Sequence, residues 1–538
     1  MVKTFDSGRR SLLTGGTAAA ALWISGAGAA SATAFTAFRT AIINGAAEDE
    51  ALATFYRETG YEGIWIHEDD RATERRAALF EALAEAPVHG LPSAGYGIES
   101  LLARMQGRLS QRDLGEIEVD LSRLFLRYAT SLQTGILDPR RVDPDLVLTV
   151  PLRDRIGLLR AISRGQPRRV LRSLAPSSTE YTRLLKEKLR HEELLASDAW
   201  APNVSAAVLK PGESGKAVIE LRDRLISMGY LRRTALAKYE TELQRGVQMF
   251  QQAHGLTPDG VAGEATMAEI NRPISYRLAS IHVALERERW MNMDLGARHI
   301  WVNLTDYSTQ IRDNGQVTFQ TRSVIGSDRD GRRTPEFSDR MQTMVINPSW
   351  HVPRSIVVSE YLPAMRNNPN ASSHMRLIDR QGRVVSRAGK DFSGYTASNF
   401  PYSLVQPPSP GNALGLVKFL FPNKWNIYLH DTPAKDLFKR EVRAFSHGCI
   451  RLADPFDFAY AVLEHQSSTP KEDFQTRLNS GRETPIKVTS DLPVHLTYRT
   501  AFTSAKGRLA FRRDIYGRDA KIFAALTKAG VAIEPQQS

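Results

Sequence analysis

Cysteine is the residue that this sequence has least of, with Cys449 alone among 538 residues. A single thiol cannot form a disulfide within the chain, so no such crosslink holds the fold together. The run around it is Ser446-His447-Gly448-Cys449-Ile450-Arg451, and a second histidine, His430, lies upstream. An unpaired cysteine beside histidine and glycine indicates a nucleophile more readily than a structural group.

The sequence also lacks a long apolar run after residue 34, so we expect no permanent membrane span in the mature chain. Residues 1–34 are predicted to be an export signal, because Arg9 and Arg10 precede an Ala/Gly-rich stretch with several small-residue cleavage positions. This pattern resembles a twin-arginine signal. The alternative, a membrane anchor, is disfavoured because the stretch is poor in Leu, Ile and Val.

No dense lysine and arginine tract is present, although the formal net charge is +12. For an exported protein, a spread basic surface favours the anionic cell envelope as a partner over nucleic acid. The sequence has no HExxH run. The run His67-Glu68-Asp69-Asp70 has no second histidine at ligand spacing, so we interpret it as a solvated turn and expect no metal or other cofactor.

Length and periodicity predict a multidomain α+β protein. Before residue 201, apolar residues recur at helical spacing. After residue 297 they alternate with polar ones, and Asp313-Asn314-Gly315 is a strong hairpin signal, so a mainly β domain is expected. The predicted units are a mostly helical domain at 46–201, a three-helix unit at 204–272, a connecting helix at 273–296, a mainly β domain at 297–520 with an insertion at 353–410, and a C-terminal tail at 521–538.

The three-helix unit carries two characteristic runs, Phe250-Gln251-Gln252-Ala253-His254-Gly255-Leu256 and Asp259-Gly260-Val261-Ala262-Gly263. Their joint order resembles the small peptidoglycan-binding module over nearly its whole length. The resemblance implies peptidoglycan as a partner. The alternative is a spacer that binds nothing, because the glycines would cap helices and turn the chain in either case.

The thiol of Cys449 needs an activating neighbour, because an ordinary thiol pKa of about 8.5 leaves it protonated at neutral pH. His447 would share its face in an extended strand. His430 ends a predicted strand, Trp425–His430, and would reach the thiol through sheet pairing. The residues alone do not choose between these histidines. The peptide N–H groups of Gly448 and Cys449 are the predicted oxyanion donors.

Arg451 adds a positive charge close to the thiol. It would lower the pKa of the thiol or bind a substrate carboxylate, and the alternative is a salt bridge to an acidic neighbour. Asp454 and Pro455 then predict the start of a helix shortly after the nucleophile.

His430 and the run Ser446-His447-Gly448-Cys449 resemble the signature of the L,D-transpeptidases, which have the YkuD-type catalytic domain. The domain order is similar to that of the large periplasmic members of Gram-negative bacteria, from about residue 46 to about residue 518. The resemblance therefore implies a periplasmic enzyme that acts on peptidoglycan. Further matching runs lie in the same order: Thr334-Pro335, Asn347-Pro348-Ser349-Trp350-His351-Val352-Pro353 and His430-Asp431-Thr432-Pro433.

The resemblance also implies roles for single residues. Cys449 would attack the carbonyl between the third and fourth residues of a tetrapeptide stem, release D-alanine, and pass the acyl group to a second stem as a 3→3 crosslink. His430 would be the general base, oriented by a backbone carbonyl, so Asp431 is not expected to be catalytic. His447 would tune the thiolate or shape the oxyanion site. Tyr428, on the strand face of His430, would contact substrate.

The insertion at 353–410 is predicted to cover the site, because a thioester that awaits an amine must be kept from water. We expect its deletion to raise hydrolysis relative to crosslinking, or to abolish both. Met365, Tyr395 and Tyr402 would either line this cover or pack inside it, and packing is the favoured interpretation.

Other functions stay open at this point. With water as the acceptor the enzyme would be an L,D-carboxypeptidase, and with a protein lysine it would attach that protein to peptidoglycan. If His430, His447 and Cys449 were zinc ligands, the chain would be a metallopeptidase, and activity would not survive EDTA. The last alternative is a wall-binding protein without catalysis. Acylation of the thiol by a carbapenem, as is typical of the family, would favour the transpeptidase.

Overall fold

The computed structural model describes residues 31–67, 69–92, 95–329, 331–504 and 507–533. The predicted export signal therefore lies outside the described residues, except for residues 31–34, which begin a helix. Glu68 of the acidic run lies outside them as well. Within the described ranges, no helix is both long enough and apolar enough to span a bilayer.

The N-terminal domain is helical, as predicted, but it begins before residue 46. Its first helix packs against its longest one, and Ile42 is fully buried between them. The helices are α1 (Ser31–Ala46), α2 (Glu50–Glu58), α3 (Asp70–Ala84), α4 (Ile98–Met105), α5 (Gln111–Thr134), α6 (Pro139–Val142), α7 (Arg155–Arg164), α8 (Pro167–Arg172) and α9 (Thr179–Ala196), with a 3₁₀ turn at Ala86–His89.

The next unit consists of α10 (Lys216–Ser227), α11 (Thr241–Ala253) and α12 (Glu264–Ile270), which confirms the three-helix prediction. The two runs that begin at Phe250 and Asp259 contact each other in the folded unit. The Gln251 side chain donates to Asp259 Oδ1 at 2.8 Å and accepts from the Gly260 N–H at 2.9 Å. A buried amide thus holds the glycine turn against α11, because buried polar groups require partners.

Helix α13 (Ile274–Trp290) is more than the connection predicted from its apolar stripe. It lies between the domains, and even its charged residues are buried. Glu286 accepts from backbone N–H groups of the helical domain and pairs with Arg289 at 2.8 Å. Arg287 pairs with Glu336 of the β domain at 2.6 Å. These pairs compensate the cost of burying charge. The backbone bonds to Glu286 and the pair with Glu336 join α13 to both neighbours.

The C-terminal domain is mainly β, as predicted. Its helices are α14 (Arg354–Ile356), α15 (Leu362–Asn367), α16 (Pro455–Leu463), α17 (Pro470–Asn479) and α18 (Arg518–Lys528), with a π-helix at Val357–Tyr361 and a 3₁₀ turn at Lys435–Lys439. Its strands are β1 (Arg298–Asn303), β2 (Ser308–Asp313), β3 (Gln316–Gly326), β4 (Phe337–Arg340), β5 (Thr343–Ile346), β6 (Trp350–His351), β7 (Arg376–Ile378), β8 (Val384–Val385), β9 (Ser403–Gln406), β10 (Val417–Leu420), β11 (Leu429–His430), β12 (Ala444–Ser446), β13 (Ile450–Leu452), β14 (Thr484–Lys487), β15 (Pro493–Thr497), β16 (Ala501–Thr503) and β17 (Leu509–Phe511).

The large sheet has the strand order β14-β5-β10-β11-β13-β3-β2-β1-β15-β4, with β12 paired to β3. The predicted hairpin is confirmed, since β2 and β3 pair across Asp313 and Gln316. One face of the sheet packs on α16 through Phe458, which contacts Phe319 and Phe419. The short strands β11 and β13 therefore lie at the centre of the sheet, where neighbours on both sides hold them.

The inserted segment, residues 353–410, forms a small core together with flanking residues such as Trp350 and Leu414. Its β7, β8 and β9 form a small sheet with β6, and its helical part spans α14, the π-helix and α15. The predicted tail needs a correction, because residues 518–528 form α18, which packs on α13. Ile522 and Leu526, one turn apart, are buried there.

Candidate active site

Two parallel strands at the centre of the large sheet bring the predicted residues together. His430 of β11 pairs with Arg451 of β13, and the Ile450 N–H donates to the Tyr428 carbonyl at 3.0 Å. This register, extended by one step, places Tyr428 beside Cys449. Because side chains alternate along a strand, residues two apart share a face. His430 and Cys449 are thus diagonal neighbours on one face, a separation that side chains can bridge.

His430 is a buried imidazole with a defined orientation. It is 4% exposed, and its Nδ1 lies 2.5 Å from the backbone carbonyl oxygen of Asp431. Burial, with a smaller effect from the Arg451 charge, lowers the pKa of His430 to about 3, and nearby carbonyls oppose the shift. The ring is therefore neutral at pH 7. With Nδ1–H donating to the carbonyl, Nε2 carries the lone pair of a base.

The Cys449 thiol is half-buried and donates to the Asn426 carbonyl, with 3.5 Å between Sγ and oxygen. Burial raises the pKa of Cys449 to about 11, although the Tyr428 backbone and side chain and the Arg451 charge act in the opposite direction. Neither candidate histidine makes a hydrogen bond with the sulfur in the described part of the chain. The predicted activation of the thiol by one of these histidines therefore stays a prediction.

Residues 446–449, the nucleophile turn, are held by two hydroxyl groups. Ser446 Oγ donates to the Cys449 carbonyl at 2.5 Å and accepts from the Gly448 N–H at 3.1 Å. Thr334 Oγ1 donates to the Gly448 carbonyl at 2.7 Å and accepts from the Gly326 N–H at 3.0 Å. Gly448 has φ +117°, a conformation that residues with side chains rarely adopt.

This turn changes the predicted oxyanion site. The Gly448 N–H donates to Ser446 Oγ in this structure, so its predicted role as an oxyanion donor requires that bond to break and stays a prediction. The Cys449 N–H has no acceptor among the described residues. It is therefore the one of the two predicted donors that stays available for an oxyanion.

His447 turns away from the sulfur. The positive φ of Gly448 interrupts the extended run between β12 and β13, so the predicted shared strand face of His447 and Cys449 is wrong. His447 Nε2 instead lies 2.6 Å from Glu360 Oε1 in the inserted segment. Its predicted influence on the thiolate stays a prediction.

Arg451 forms no ion pair with an acidic residue in the described ranges, so the salt-bridge alternative finds no support there. Its Nε is buried without a hydrogen-bond partner. Tyr428 lies beside His430, with the ring centroids 5.6 Å apart. Burial and the neighbouring Cys449 raise the pKa of Tyr428 well above its ordinary value. A guanidinium without an acidic partner among the described residues and a phenol thus flank the thiol.

The strand predicted from Trp425 to His430 is much shorter in the structure, because β11 includes only its last two residues. Asn423 Oδ1 accepts from the N–H groups of Trp425 and Ile427 at 3.1 and 3.0 Å, and Asn426 has φ +54°. Asparagine side chains that bond to the nearby backbone compete with strand formation. The resulting loop presents the Asn426 carbonyl to the sulfur.

The aromatic and methionine residues predicted for the cover pack inside the inserted segment. Met365 is fully buried in its core. Tyr395 and Tyr402 contact each other at 6.2 Å between ring centroids, and both contact Phe400 at 5.5 Å. These contacts support the packing interpretation.

The predicted zinc ligands do not converge on one point, since His447 faces Glu360 and Cys449 faces Asn426. Among the described residues, no group of three or more His, Cys, Asp or Glu is arranged to hold a metal ion.

The sequence analysis gave no role to Thr334 and Ser446, although both lie in the motif runs. Glu360 had no sequence signal, because 87 residues separate it from His447.

Three family models match the chain. Residues 50–189 match "Scaffold domain", residues 214–270 match "Putative peptidoglycan binding domain", and residues 297–486 match the YkuD "L,D-transpeptidase catalytic domain". Each matched range falls inside a unit predicted from the sequence.

Two curated proteins are similar to parts of the chain. A Haemophilus influenzae protein named "Putative L,D-transpeptidase" is 34% identical over 225 residues, which are 41% of this chain and 45% of the relative. A Mycobacterium tuberculosis protein named "N-acetylmuramoyl-L-alanine amidase CwlM" is 35% identical over 82 residues, which are 13% of this chain and 20% of the relative. The chain thus matches less than half of the length of either relative.

Solved structures of two proteins with L,D-transpeptidase in their titles also match. The one from Xylanimonas cellulosilytica is 14% identical, with a TM-score of 0.16, and the match covers 54% of this chain and 98% of that one. The one from Stackebrandtia nassauensis is 15% identical, with a TM-score of 0.22, over 55% of this chain and 96% of that one.

Proposed function

The chain carries a YkuD-type L,D-transpeptidase catalytic domain beside a peptidoglycan-binding domain, and from this premise we propose that it forms 3→3 crosslinks between peptidoglycan stems. The donor is a tetrapeptide stem, D-alanine is released, and the acceptor is the side-chain amine of the third residue of another stem. The observation that carries the proposal is the orientation of His430, whose Nδ1–H bond to a backbone carbonyl leaves Nε2 as a base on the face of Cys449.

In the first half of the reaction, the sulfur of Cys449 attacks the carbonyl carbon between the third and fourth residues of the stem. Because the thiol pKa is about 11 and the imidazole is neutral, the proton moves to His430 Nε2 as the carbon–sulfur bond forms. The Cys449 N–H stabilises the oxyanion. When the carbon–nitrogen bond breaks, the proton passes to the departing amine of D-alanine, and a thioester remains.

In the second half, the acceptor amine attacks the thioester carbonyl and gives its proton to His430. The carbon–sulfur bond then breaks, and the proton returns to the sulfur, so the thiol is regenerated. Arg451, which lacks an acidic partner among the described residues, binds the carboxylate of the leaving D-alanine, and Tyr428 contacts the stem beside it.

The other domains place this chemistry at the cell wall. The peptidoglycan-binding domain holds the glycan, and the basic surface favours the anionic envelope. Action outside the cytoplasm, in the periplasm, follows from the substrate and from the predicted export signal at residues 1–34. The inserted segment covers the thioester, so that an amine reaches it before water does.

Muropeptide analysis tests the proposal directly. The purified full chain is incubated with disaccharide-tetrapeptide, and the products are separated by chromatography and mass spectrometry. We expect 3→3 dimers and free D-alanine with wild type, and neither with Cys449→Ala, because no thioester forms. A carbapenem should add its mass at Cys449 in the wild type and in no other residue.

The matched control is Ser327→Ala. Ser327 lies near the site, because its backbone N–H donates to the Ser446 carbonyl, and its buried hydroxyl has no hydrogen-bond partner among the described residues, so the dimer yield should be unchanged. Tripeptide without dimers would contradict crosslinking and identify a carboxypeptidase. Transfer to a lysine-containing protein and not to a stem would identify protein attachment. Loss of activity in EDTA would contradict the cysteine mechanism in favour of zinc.

A further inference from the structure

The inserted segment meets the nucleophile turn through one carboxylate. Glu360 Oε1 lies 2.6 Å from His447 Nε2 and 2.7 Å from Arg332 Nη2. His447 is two residues before Cys449. Arg332 belongs to the loop that packs against the same turn, since its carbonyl would meet a Cβ added to Gly448 at 3.8 Å. One side chain of the cover thus bonds to both pieces of chain that surround the nucleophile.

Main-chain pairing of β9 with β6 and apolar packing attach the segment to the domain, but few other side-chain hydrogen bonds among the described residues hold it near the sulfur. The remaining side-chain bonds of its arginines stay within the segment. Arg354 donates to the carbonyls of Ala397 and Tyr402, and Arg383 pairs with Asp379. Within the described ranges, Glu360 makes the side-chain hydrogen bond that joins the segment to residues 446–449.

The backbone at Glu360 is unusual. The residue lies in the π-helix Val357–Tyr361, between α14 and α15. Single π-turns within helices are rare and are frequent at functional sites. The wider turn displaces the helix surface at this point, and the carboxylate of Glu360 extends from it toward the catalytic sheet.

The three side chains are partly exposed, with 28% for Arg332, 38% for Glu360 and 31% for His447. Burial raises the pKa of Glu360, but the hydrogen bond and charge of His447 and the charge of Arg332 outweigh it, so the pKa is lowered overall. Water reaches the network, so each bond is weak and can break and re-form. A cover that admits one stem and then a second needs contacts of this strength.

We propose that Glu360 is a positioning residue that fastens the inserted segment to the nucleophile turn, and that this contact decides whether an amine or water receives the acyl group. This inference rests on the proposed function. His447 then acts through Glu360 and not on the sulfur. When the contact is made, the segment excludes water from the thioester of Cys449, and when it is broken, water competes with the acceptor stem.

The test compares Glu360→Gln with wild type in the disaccharide-tetrapeptide assay. The amide keeps the shape of the side chain and loses its charge. We expect the ratio of 3→3 dimer to hydrolysed tripeptide to fall by about 1.4- to fivefold, which is the range for loss of a partly exposed ion pair. The rate of carbapenem acylation should change less than the ratio, because Cys449 and His430 are untouched.

Arg383→Gln is the matched control, because it breaks an ion pair in the same segment that does not reach the site. It should leave the product ratio at the wild-type value. Arg332→Gln should lower the ratio less than Glu360→Gln does, because it leaves the bond of Glu360 to His447 intact. Adding it to Glu360→Gln should lower the ratio little further, since Glu360→Gln already removes the ion pair with Arg332. Arg332→Gln also tests the contact if Glu360→Gln does not fold.

The possible failures are distinguishable. If wild type releases no D-alanine and forms neither dimer nor tripeptide, the proposed function is wrong. If wild type is active and Glu360→Gln and Arg332→Gln keep its product ratio, the role of Glu360 is wrong and the proposed function stands. An equal fall with Arg383→Gln would also overturn the inference, because the effect would then belong to the segment as a whole.

Discussion

The two walls of the candidate site are built in contrasting ways. The sheet wall, formed by β11, β13 and the nucleophile turn, lies at the centre of the large sheet, and hydroxyl groups satisfy its backbone. The segment wall, residues 353–410, has its own small core and reaches the nucleophile turn through the partly exposed Glu360. The contrast indicates that hydroxyl hydrogen bonds hold the nucleophile turn, while the cover, which is anchored to β6 through β9, reaches this turn through a contact that water can replace.

The largest expected effect is a disturbance of the sheet wall. In Gly326→Ala, the new Cβ would overlap the Arg332 carbonyl and lie 2.8 Å from the Thr334 N and 3.0 Å from the Gly448 Cα. These are backbone atoms, so the loop at residues 332–334, which holds the nucleophile turn through Thr334, or the turn itself must move. Because a displacement of about 1 Å can cost roughly 100-fold in rate, we expect a loss of this size in carbapenem acylation, measured by mass spectrometry.

The matched change on the segment wall is Gly394→Ala, where an added Cβ meets no atom within 4 Å. Its acylation rate should equal that of wild type. Equal losses in both variants would contradict the contrast between a rigid and an adjustable wall. Thermal unfolding of both proteins separates misfolding from local displacement.

An intermediate effect is expected for the reactivity of the thiol. Because the pKa of Cys449 is about 11, the rate of alkylation by iodoacetamide should rise roughly tenfold for each pH unit from pH 7 to 10. Arg451→Gln removes a charge that lowers this pKa and should slow the reaction at each pH. Glu360→Gln, on the other wall, should leave the profile unchanged. A plateau below pH 8 would show that the thiolate is stabilised in the resting enzyme.

The smallest effect concerns stability. His430 and His191 have pKa values of about 3, and His89 and His495 of about 4, because burial disfavours the charged ring. In the unfolded chain these imidazoles bind protons with a pKa near 6.5, whereas in the native state they stay neutral at that pH. The contribution of these histidines to the free energy of unfolding is therefore fully present above pH 6.5 and decreases as the pH falls toward 4. We expect the Tm to fall by several degrees between pH 7 and pH 5.

His430→Gln should weaken this pH dependence, because one of the buried rings no longer titrates. Differential scanning calorimetry at fixed ionic strength measures both proteins. A Tm that rises on acidification would mean that these histidines are charged in the native state.

The sequence was most informative where the signal is local. The Asp-Asn-Gly turn predicted the hairpin of β2 and β3, and the stripes of α10 and α11 predicted the three-helix unit, because helix period and turn chemistry depend on near neighbours. The same holds for the motif around Cys449. Its glycine, hydroxyl and thiol are adjacent in sequence, and a resemblance to a known signature needs nothing more.

Predictions from the sequence were wrong where the structure depends on which distant residue a side chain contacts. The strand predicted from Trp425 was lost to the hydrogen bonds of Asn423. The helix α13 was expected to be a connection, and its charged residues are buried because partners such as Glu336 arrive from other domains. The periodicity of apolar residues in a sequence does not predict such long-range pairs.

The candidate nucleophile, the order of the domains and the two candidate histidines were predicted from the sequence alone, because these predictions need only residue type, spacing and the resemblance of the motifs. The tertiary structure decided which histidine faces the sheet beside the thiol, which peptide N–H stays free, and that Glu360 joins the cover to the site. These outcomes depend on the positive φ of Gly448 and on burial. Orientation, hydrogen bonding and pKa are set by surroundings that only the folded chain brings together.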